Sequence, residues 1–439
     1  MKILQVSTAD SGGGAEGSAQ NLFRAYRECG HTSWLAVGEK RSEDPDVFEL
    51  PKDAAPTVVG RILQKTAARL RKSRRTPPGS RRLARAFDTL AVPERRQARA
   101  AGREDFHFPG SRRLLGLLPE PPDLIHCHNL HGWYFDLGGL PELSRRTPVV
   151  LNLRDTWLLT GHCAYFMECE GWRTGCGGCP DLARYPGVKR DATAANWQRK
   201  EEIFAQSRLH ITAPSQWLLD CAKSSMLEAT DYRLIPNGID LNVFRPGSRE
   251  EARQRLGLPQ DCRIVLFVAA SPHNVYKDPQ TMIQAIRMLA ETEDNTLFLC
   301  LGRKPPNALL RTGRVRHVPF QSDPAVVADH YRAADVFIHT ARAEAFGKTV
   351  TESMACGTPV VATDVGGIPE QFANEEAGFL TPLGDAEAIA ARTHQILSDD
   401  PLRERQARQA ARNGAGYSLE TQANRFLEWY AQILAESKT

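Results

Sequence analysis

The stretch EAFGKTVTESMACGTPVVATDVGGIPE constrains the fold of this chain most strongly, because it places two glutamates on either side of a glycine. Glu344 and Glu352 stand eight positions apart, and on one continuous helix they would point about 80° away from each other. Glu344 is therefore predicted on a loop at 341–347, after the apolar strand 336–339, and Glu352 on a helix at 348–356. In open α/β sheets, such a loop and helix N-terminus border the crevice where ligands bind.

The longer block YRAADVFIHTARAEAFGKTVTESMACGTPVVATDVGGIPE resembles the signature of the retaining glycosyltransferases of family 4. The resemblance implies an α/β protein of the GT-B fold, in which two Rossmann-like domains face each other across a cleft. It also implies that Glu344 lies by the donor sugar and that Glu352 accepts hydrogen bonds from the ribose hydroxyls. The residues whose backbone would approach the sugar and the diphosphate are Phe346, Gly347, Lys348 and Thr349. An ordinary strand, turn and helix with incidental acidic residues is the alternative.

Composition and apolar pattern predict two alternating α/β halves. Hydrophobic residues make up 41% and charged residues 25% of the 439 residues, as in ordinary globular chains with two or three domains. The predicted strands are Lys2–Thr8, Ser33–Val37, Leu124–Cys127, Val149–Leu153 and Leu209–Ala213, then Arg263–Ala269, Thr296–Leu301, Val315–Val318, Val336–His339 and Val360–Thr363. The expected domains are an acceptor-side domain at 1–240, with a basic insertion near 55–115 and a Cys-rich loop near 160–180, a nucleotide-sugar domain at 241–418, and a last helix at 419–439 that packs back towards the first domain.

The loop after the first strand resembles the Gly-Gly-x-Glu loop that lies under the donor diphosphate in this family. Gly13, Gly14 and Glu16 supply the pattern here. A glycine loop that leads into a helix brings backbone amides to a phosphate without Cβ interference. A tight strand-to-helix turn with no ligand is the alternative.

The segment LFVAASPHNVYKD contains the second candidate for the diphosphate. Lys277 matches a lysine that binds the diphosphate in the family, and a solvated surface lysine is its alternative. Ala270 or Ser271 stands where the family has an arginine. Arg303 or Arg342 would have to supply the missing charge.

Three histidines in DLIHCHNLHGWYF follow a strand of the first half. His126 and His128 share one face if the strand continues, and His131 lies in the loop beyond it. In the family a histidine of this segment contacts the reacting sugar, for which His131 is the best match and His128 the second. Satisfied structural histidines are the alternative.

The next segment, TPVVLNLRDTWLLTGHCAYFMECEGWRTGCGGCP, resembles the acceptor region of a subgroup that builds bacterial exopolysaccharides. Those relatives carry His-Asp where this chain has Arg154-Asp155. The arginine excludes an imidazole role at that position. Asp155 is a candidate for orienting an acceptor hydroxyl.

The same segment contains a cysteine cluster, and Cys176-Gly-Gly-Cys179 has the turn of a metal knuckle. In a chain expected in the cytoplasm, clustered cysteines favour a metal over disulfides. A structural zinc is predicted, and four thiolates would leave it no open position for a substrate. Its ligands would be Cys163, Cys169, Cys176 and Cys179. Unligated thiols, disulfides and an iron–sulfur cluster are the alternatives.

The segment 61–113 holds sixteen Lys or Arg and four acidic residues, in a chain whose net charge is +4. This asymmetry predicts an anionic partner. Val58–Leu70 also has helical apolar spacing, so anionic lipid is the predicted partner, and the chain is expected in the cytoplasm, peripheral on the inner face of the membrane. Aromatic residues are too few for nucleic acid, which is not expected as a partner. A solvated insertion is the alternative.

These features predict a glycosyltransferase that moves a sugar from a nucleoside diphosphate sugar to a glycan or lipid-linked acceptor in surface polysaccharide biosynthesis. The resemblance implies retention by front-face attack, with no catalytic divalent metal, so fixed positive charge has to stabilise the leaving nucleotide. A nucleotide-sugar epimerase of the same fold is one alternative. A non-catalytic nucleotide-sugar-binding partner protein is the other, since an arginine is missing near Lys277 and Arg154 replaces a histidine.

Overall fold

The computed structural model describes residues 1–51, 57–72, 79–269, 274–305, 309, 313–372 and 376–437. The chain divides into two compact units. Unit 1 comprises Met1–Ala213, Leu219–Arg233 and Glu428–Thr439, and unit 2 comprises Pro214–Leu218 and Leu234–Leu427. The domain bounds expected from the sequence stay predictions.

The first part of the chain alternates strands and helices. Its strands are β1 (Lys2–Ala9), β2 (Thr32–Glu39), β3 (Val47–Glu49), β4 (Leu124–Cys127), β5 (Val149–Asn152), β6 (Leu209–Ala213) and β7 (Asp231–Leu234). Its helices are α1 (Gly14–Glu28), α2 (Val58–Lys72), α3 (Ser80–Ala91), α4 (Pro93–Ala100), α5 (Leu140–Arg146), α6 (Gly171–Thr174), α7 (Thr193–Ala205) and α8 (Gln216–Lys223). The strands form one sheet in the order β3-β2-β1-β4-β5-β6-β7.

The central strands of this sheet are short apolar runs. β1 pairs in parallel with both β2 and β4, and Ile3, Leu4 and Val6 are fully buried. Parallel strands are covered on both faces, so they are apolar at nearly every position. The strand order reverses between β1 and β4. Ligands of open α/β sheets bind outside the carboxyl ends of the strands at such a switch point.

The second part of the chain has the same alternation. Its strands are β8 (Arg263–Ala269), β9 (Thr296–Gly302), β10 (Val315–Pro319), β11 (Val336–His339), β12 (Val360–Thr363) and β13 (Gly378–Thr381). Its helices are α9 (Arg249–Leu256), α10 (Pro279–Thr292), α11 (Pro324–Ala333), α12 (Lys348–Ala355), α13 (Ala386–Ser398), α14 (Asp400–Ala415) and α15 (Leu419–Glu436). The strands form a sheet in the order β10-β9-β8-β11-β12-β13, with its switch point between β8 and β11.

Alternate residues of β8 supply the two cores of unit 2. Ile264 and Leu266 are fully buried in the core on one face of the sheet. Val265 and Phe267 are buried in the core on the other face. This alternation follows from strand geometry, in which successive side chains point to opposite faces.

The predicted strands are all present to within about two residues. The sequence pattern does not predict β3, β7 and β13, which lie at sheet edges and are only three or four residues long. Runs this short carry too little periodicity to be recognised. In the described part of the chain, no helix has the length and apolar character needed to cross a membrane.

Candidate active site

The switch point of unit 2 brings the predicted donor residues together. β8 and β11 are parallel neighbours, so the loops that follow them lie at the same edge of the sheet. Lys277 is in the loop after β8, in a short turn at Val275–Lys277. Glu344 is in the loop after β11, outside any helix, and Glu352 is in α12, as predicted.

Glu344 is ionised because two basic side chains face its carboxylate. Lys277 forms an ion pair with it, and His339 Nε2 lies 4.0 Å from the same oxygen. Burial by itself would raise the pKa of Glu344, but Lys277 and His339 outweigh it and hold that pKa below its ordinary value. Burial, together with Lys277, lowers the pKa of His339 to about 4, so this imidazole is neutral at neutral pH.

Backbone hydrogen bonds hold these two loops against each other. The Arg342 N–H donates to the Tyr276 carbonyl at 2.8 Å. The Thr340 hydroxyl lies 3.2 Å from the Lys277 carbonyl and 3.1 Å from the Asp278 carbonyl. The position of Lys277 next to Glu344 is therefore fixed by the backbone as well as by the ion pair.

The second glycine turn supports the backbone of Glu344. Gly366 has φ +56°, and a Cβ there would lie 2.0 Å from the Glu344 carbonyl oxygen, so only glycine fits. The Gly367 N–H donates to the same carbonyl at 3.1 Å. The two glycines thus fix the position of the Glu344 backbone.

Glu352 is buried in α12 and is 9% exposed. The Tyr331 hydroxyl donates to Oε2 at 3.3 Å, and Lys348 Nζ lies 3.5 Å from Oε1. Burial raises the pKa of Glu352 above its ordinary value, although Lys348 and Tyr331 favour the ionised form. Tyr331 is the first residue of the block that resembles the family signature, but the sequence analysis assigns it no role.

The other four predicted donor residues surround the start of α12. Gly347 precedes the helix with φ +88°, and the first amides of a helix have no partner within it, which favours an anion there. The Phe346 carbonyl accepts from Gln371, and Thr349 Oγ1 lies 3.4 Å from His339 Nδ1. Phe346 itself is buried, and its backbone N–H is hydrogen-bonded to the Glu344 carboxylate.

Both candidates for replacing the missing arginine lie in the described part of the chain. Ala270 and Ser271 lie outside the described residues. Arg303 and Arg342 are both exposed, after β9 and after β11. Lys277 is the cation that contacts the Glu344 carboxylate.

The glycine loop of unit 1 follows β1, at the switch point of its own sheet. Gly13 precedes α1 without a side-chain cap, and residues 12–14 are exposed. The Glu16 carboxylate folds back to Gly13, where a Cβ would meet Oε2 at 2.8 Å. The Arg41 guanidinium donates to the Ser11 carbonyl. The motifs do not indicate Arg41, which reaches the loop because β2 lies beside β1.

The three histidines in and after β4 have different surroundings, although the ring centres of His126 and His128 are only 4.2 Å apart. His126 Nδ1 lies 2.6 Å from the Tyr430 hydroxyl and is fully buried. His128 is 1% exposed, with Nε2 2.8 Å from Gln5 Oε1 and Nδ1 3.1 Å from Arg154. Burial lowers the pKa of both imidazoles well below the ordinary value. His128, a predicted sugar contact, therefore has both ring nitrogens engaged inside unit 1.

His131 has one ring nitrogen without a hydrogen-bond partner among the described residues. Its Nε2 lies 2.7 Å from Asp155 Oδ2, and the other carboxylate oxygen accepts from the Trp157 N–H at 2.9 Å. Nδ1 is buried and has no hydrogen-bond partner among the residues that the structure describes. Asp155 thus holds the imidazole, as a carboxylate partner does when it fixes a tautomer, and its role in orienting an acceptor hydroxyl stays a prediction.

The four clustered cysteines and His162 line one cavity of unit 1. Two of the thiols are engaged by protein groups: Cys179 Sγ lies 3.3 Å from His162 Nε2, and Cys176 Sγ accepts from the Gly161 N–H at 3.3 Å. Burial raises the pKa of Cys163 to about 12. Within the described ranges no three His, Cys, Asp or Glu residues form a group that could hold a metal ion. The zinc site thus has no support in the geometry and stays a prediction.

Family models cover nearly the whole of both units. Residues 12–243 match the model described as Glycosyltransferase Family 4. Residues 248–413 match the model described as Glycosyl transferases group 1.

Similar proteins carry glycosyltransferase names. The chain is 32% identical over 218 residues to the D-inositol 3-phosphate glycosyltransferase of Thermobispora bispora, a match that covers 46% of the chain and 50% of the relative. It is 26% identical to the putative colanic acid biosynthesis glycosyl transferase WcaC of Escherichia coli, over 55% of the chain and 60% of the relative. It is 33% identical to D-inositol 3-phosphate glycosyltransferase 1 of Catenulispora acidiphila, over 73% of the chain and 75% of the relative. The chain thus spans about half the length of most of these curated relatives.

Two solved structures share the fold. Sucrose-phosphate synthase from Thermosynechococcus elongatus has a TM-score of 0.64 at 19% identity, over 99% of each chain. Anabaena Alr3699/HepE, solved in complex with UDP and glucose, has a TM-score of 0.63 at 18% identity, over 98% of this chain and 99% of that one. With the two parallel sheets, these likenesses confirm the predicted α/β class and GT-B fold with two Rossmann-like domains.

Proposed function

The chain belongs to glycosyltransferase family 4, and we propose that it transfers a sugar from a nucleoside diphosphate sugar to a glycan or lipid-linked acceptor, with retention of configuration. One observation carries the proposal: Lys277 and Glu344 are paired at the switch point of the unit 2 sheet, directly before the helix that carries Glu352. A cation, two carboxylates and a helix N-terminus are the groups needed to hold a diphosphate, a ribose and a sugar.

Each of these groups has a distinct role in the proposed reaction. Lys277 and the first amides of α12 bind the diphosphate and stabilise the charge that develops on it as the sugar leaves. Glu352 accepts hydrogen bonds from the ribose hydroxyls, and Glu344 contacts the donor sugar. The leaving phosphate accepts the proton of the acceptor hydroxyl, so the protein contributes positioning and charge stabilisation. The Anabaena neighbour was solved with UDP, which makes UDP the first nucleotide to test.

We place the reaction in surface polysaccharide biosynthesis. Similarity to the putative colanic acid biosynthesis glycosyl transferase supports this. The acceptor is then a growing glycan or a lipid-linked sugar. We propose that His131, whose Nε2 is hydrogen-bonded to Asp155, is the side chain of unit 1 that contacts the reacting sugar.

We also propose that α2 and α3 bind anionic lipid. Ala67 of α2 and Ala84 of α3 are fully buried. The start of α2 leaves three aliphatic side chains in solvent: Val58, Val59 and Ile62 are 63%, 66% and 59% exposed. Exposed cations accompany them at Arg61, Lys65, Arg69, Arg82 and Arg85. Apolar side chains among cations are typical of helices that lie in a membrane interface.

Radiolabelled nucleotide sugars test the proposed reaction. The protein is incubated with a panel of them, with and without a lipid extract that contains glycan acceptors. Label transferred to the acceptor supports the proposal. Interconversion of the free nucleotide sugar would indicate an epimerase, and binding without turnover a non-catalytic partner protein. Glu344→Gln should abolish transfer, whereas Glu404→Gln, on the exposed side of α14, should not.

A further inference from the structure

A second cavity of unit 1 lies beside the His131–Asp155 pair. Its volume is about 80 Å³, counted as the space that the centres of water molecules can occupy, so it has room for several waters. Its lining includes Arg99, Arg103, Phe106, Trp133, Trp157 and Lys189, and His131 is also part of it. The cavity is therefore shared between the basic insertion and the segment that carries the predicted catalytic histidine.

Four parts of the chain build this cavity. The lining residues come from 99–106 in the insertion, from 130–135 after β4, from 186–189, and from Trp157. The insertion approaches the third segment closely at Gly102, which has φ +75° and where a Cβ would lie 2.1 Å from the Arg190 carbonyl oxygen. This contact requires glycine, and it fixes the insertion as a wall of the cavity.

The charge of the lining is positive, because its two carboxylates are neutralised by groups outside it. Glu104 accepts from Trp157 Nε1 and pairs with the buried Lys200 at 2.8 Å. Asp105 lies 3.8 Å from Arg95 Nε. Because these two carboxylates pair with Lys200 and Arg95, they do not neutralise the cations that line the cavity.

The cations of the lining are Arg99, Arg103 and Lys189. Arg103 and Lys189 are exposed, and neither is ion-paired with a carboxylate in the part of the chain that the structure describes. The Arg99 guanidinium lies 4.6 Å from the centre of the Trp133 ring, a cation–π distance. Guanidinium and ammonium groups that converge on a cavity bind carboxylate or phosphate.

Aromatic surface accompanies this charge. Trp133 is 38% exposed and has φ +74°, a backbone conformation that is rare for a bulky residue and is retained where its surroundings enforce it. Phe106 and Trp157 pack edge to face, with ring centres 6.3 Å apart. Aromatic rings beside polar groups are suited to the C–H face of a sugar ring.

His131 supplies an unsatisfied polar atom at this cavity. The residue is 9% exposed, and its Nδ1 lacks a hydrogen-bond partner within the described ranges while Asp155 holds Nε2. A buried polar atom without a partner is costly, so such an atom marks a place where a ligand group completes the hydrogen bonding. A sugar hydroxyl is a group of the right chemistry.

We propose that this cavity binds the acceptor as an acidic saccharide, with its hydroxyl on His131, its ring on the aromatic wall, and its carboxylate or phosphate on Arg103 and Lys189. The inference rests on the proposed function and names the chemical class of the acceptor. It also gives part of the basic insertion a role at the site, separate from the lipid surface of α2 and α3.

Saturation-transfer NMR on the full chain tests the proposal with three probes: methyl glucuronide, glucose 6-phosphate and the neutral methyl glucoside. We expect at least one anionic probe to bind about tenfold more tightly than the neutral glycoside, because charge-assisted hydrogen bonds are stronger than those between neutral groups. The probe that binds identifies carboxylate or phosphate as the anionic group. Equal affinity for all three probes would overturn the inference.

The double variant Arg103→Gln/Lys189→Gln should lose about tenfold in affinity for the anionic probe. The control Arg24→Gln/Lys223→Gln removes the same charge from exposed positions of unit 1 and should not. Binding of UDP is titrated in parallel, and saturating UDP should not displace the probe. Unchanged probe affinity in the double variant, with UDP bound normally, contradicts this inference alone; absence of UDP binding contradicts the proposed function alone.

Discussion

Lys277 and Glu344 form an ion pair that joins the loop after β8 to the loop after β11. The two residues are 67 positions apart in the sequence, but their strands are neighbours in the sheet. The pair holds a cation and an anion where we propose that the diphosphate and the sugar of the donor bind. A bound diphosphate therefore has to compete with Glu344 for Lys277.

Replacing Lys277 with Gln should weaken binding of UDP about 10- to 100-fold, because a charge-assisted contact to the diphosphate is lost. It should also raise the pKa of Glu344, because its main cationic partner is removed. Calorimetric titration of UDP measures the first effect. Arg287→Gln removes an exposed cation from α10 and is the control. Equal affinity in the wild type and Lys277→Gln would show that this lysine is only a surface charge.

Glu352→Gln should stabilise the unliganded protein at neutral pH while weakening nucleotide binding. Burial raises the pKa of Glu352 above 4.5 in the folded protein, so the free energy of unfolding falls as pH rises from the unfolded pKa through the folded pKa. Glutamine does not ionise, so the variant does not lose this stability. Melting temperatures of the variant and the wild type should therefore differ at neutral pH and converge in acid. Glu344→Gln is the control: it should lower the melting temperature at neutral pH, because the pKa of Glu344 is lowered in the folded protein. A Glu352→Gln protein that melts below the wild type at neutral pH would contradict the argument.

Asp155→Asn should lower the turnover number about 100-fold, by misorienting His131, with little change in UDP affinity. His131→Ala should give a similar loss, and the double variant should lose no more than the single ones, because the two residues act as one unit. His107→Ala, an exposed histidine, is the control. Additive losses in the double variant would show that the two residues act separately.

Replacing Val58, Val59 and Ile62 with Ser should reduce sedimentation with anionic vesicles by at least about tenfold, since each aliphatic side chain loses about 1.5–3 kcal/mol when it is no longer buried. Salt should release the wild type, because the contribution of about 1 kcal/mol per cation is screened. Phe320→Ser, which removes a 75% exposed aromatic ring from unit 2, is the control. Sedimentation that is the same in the triple variant and the wild type would mean that α2 is only a solvated helix.

Elemental analysis of protein purified without added metal tests the cysteine cluster. The zinc prediction requires about one zinc per chain, and loss of Cys176 or Cys179 should lower both zinc content and stability. Cys29→Ser changes an exposed thiol far from the cluster in sequence and should alter neither. Protein that is stable, active and free of zinc would reject the site and leave the four thiols as a packed, unligated cluster.

Much of the fold follows from local pattern. A parallel strand is covered on both faces, so runs such as Val336–His339 are apolar at every step and can be recognised without a neighbour. The loop position of Glu344 also follows locally, from the angle that separates it from Glu352 on a helix. The edge strand Val47–Glu49 escapes prediction because its pairing with β2, and not its own three residues, makes it a strand.

The sequence by itself therefore determined the α/β class, most of the strands and the loop and helix positions of the two glutamates of the proposed donor site, since each depends on residues close together in the chain. Only the tertiary structure decided which distant groups meet. Strand order places Arg41 against the glycine loop, and the contact of Gly102 with 190 makes the insertion a cavity wall. It also decided that both ring nitrogens of His128 have partners, while Nδ1 of His131 has none among the described residues, because hydrogen-bond partners and burial are set by packing between segments that no local pattern encodes.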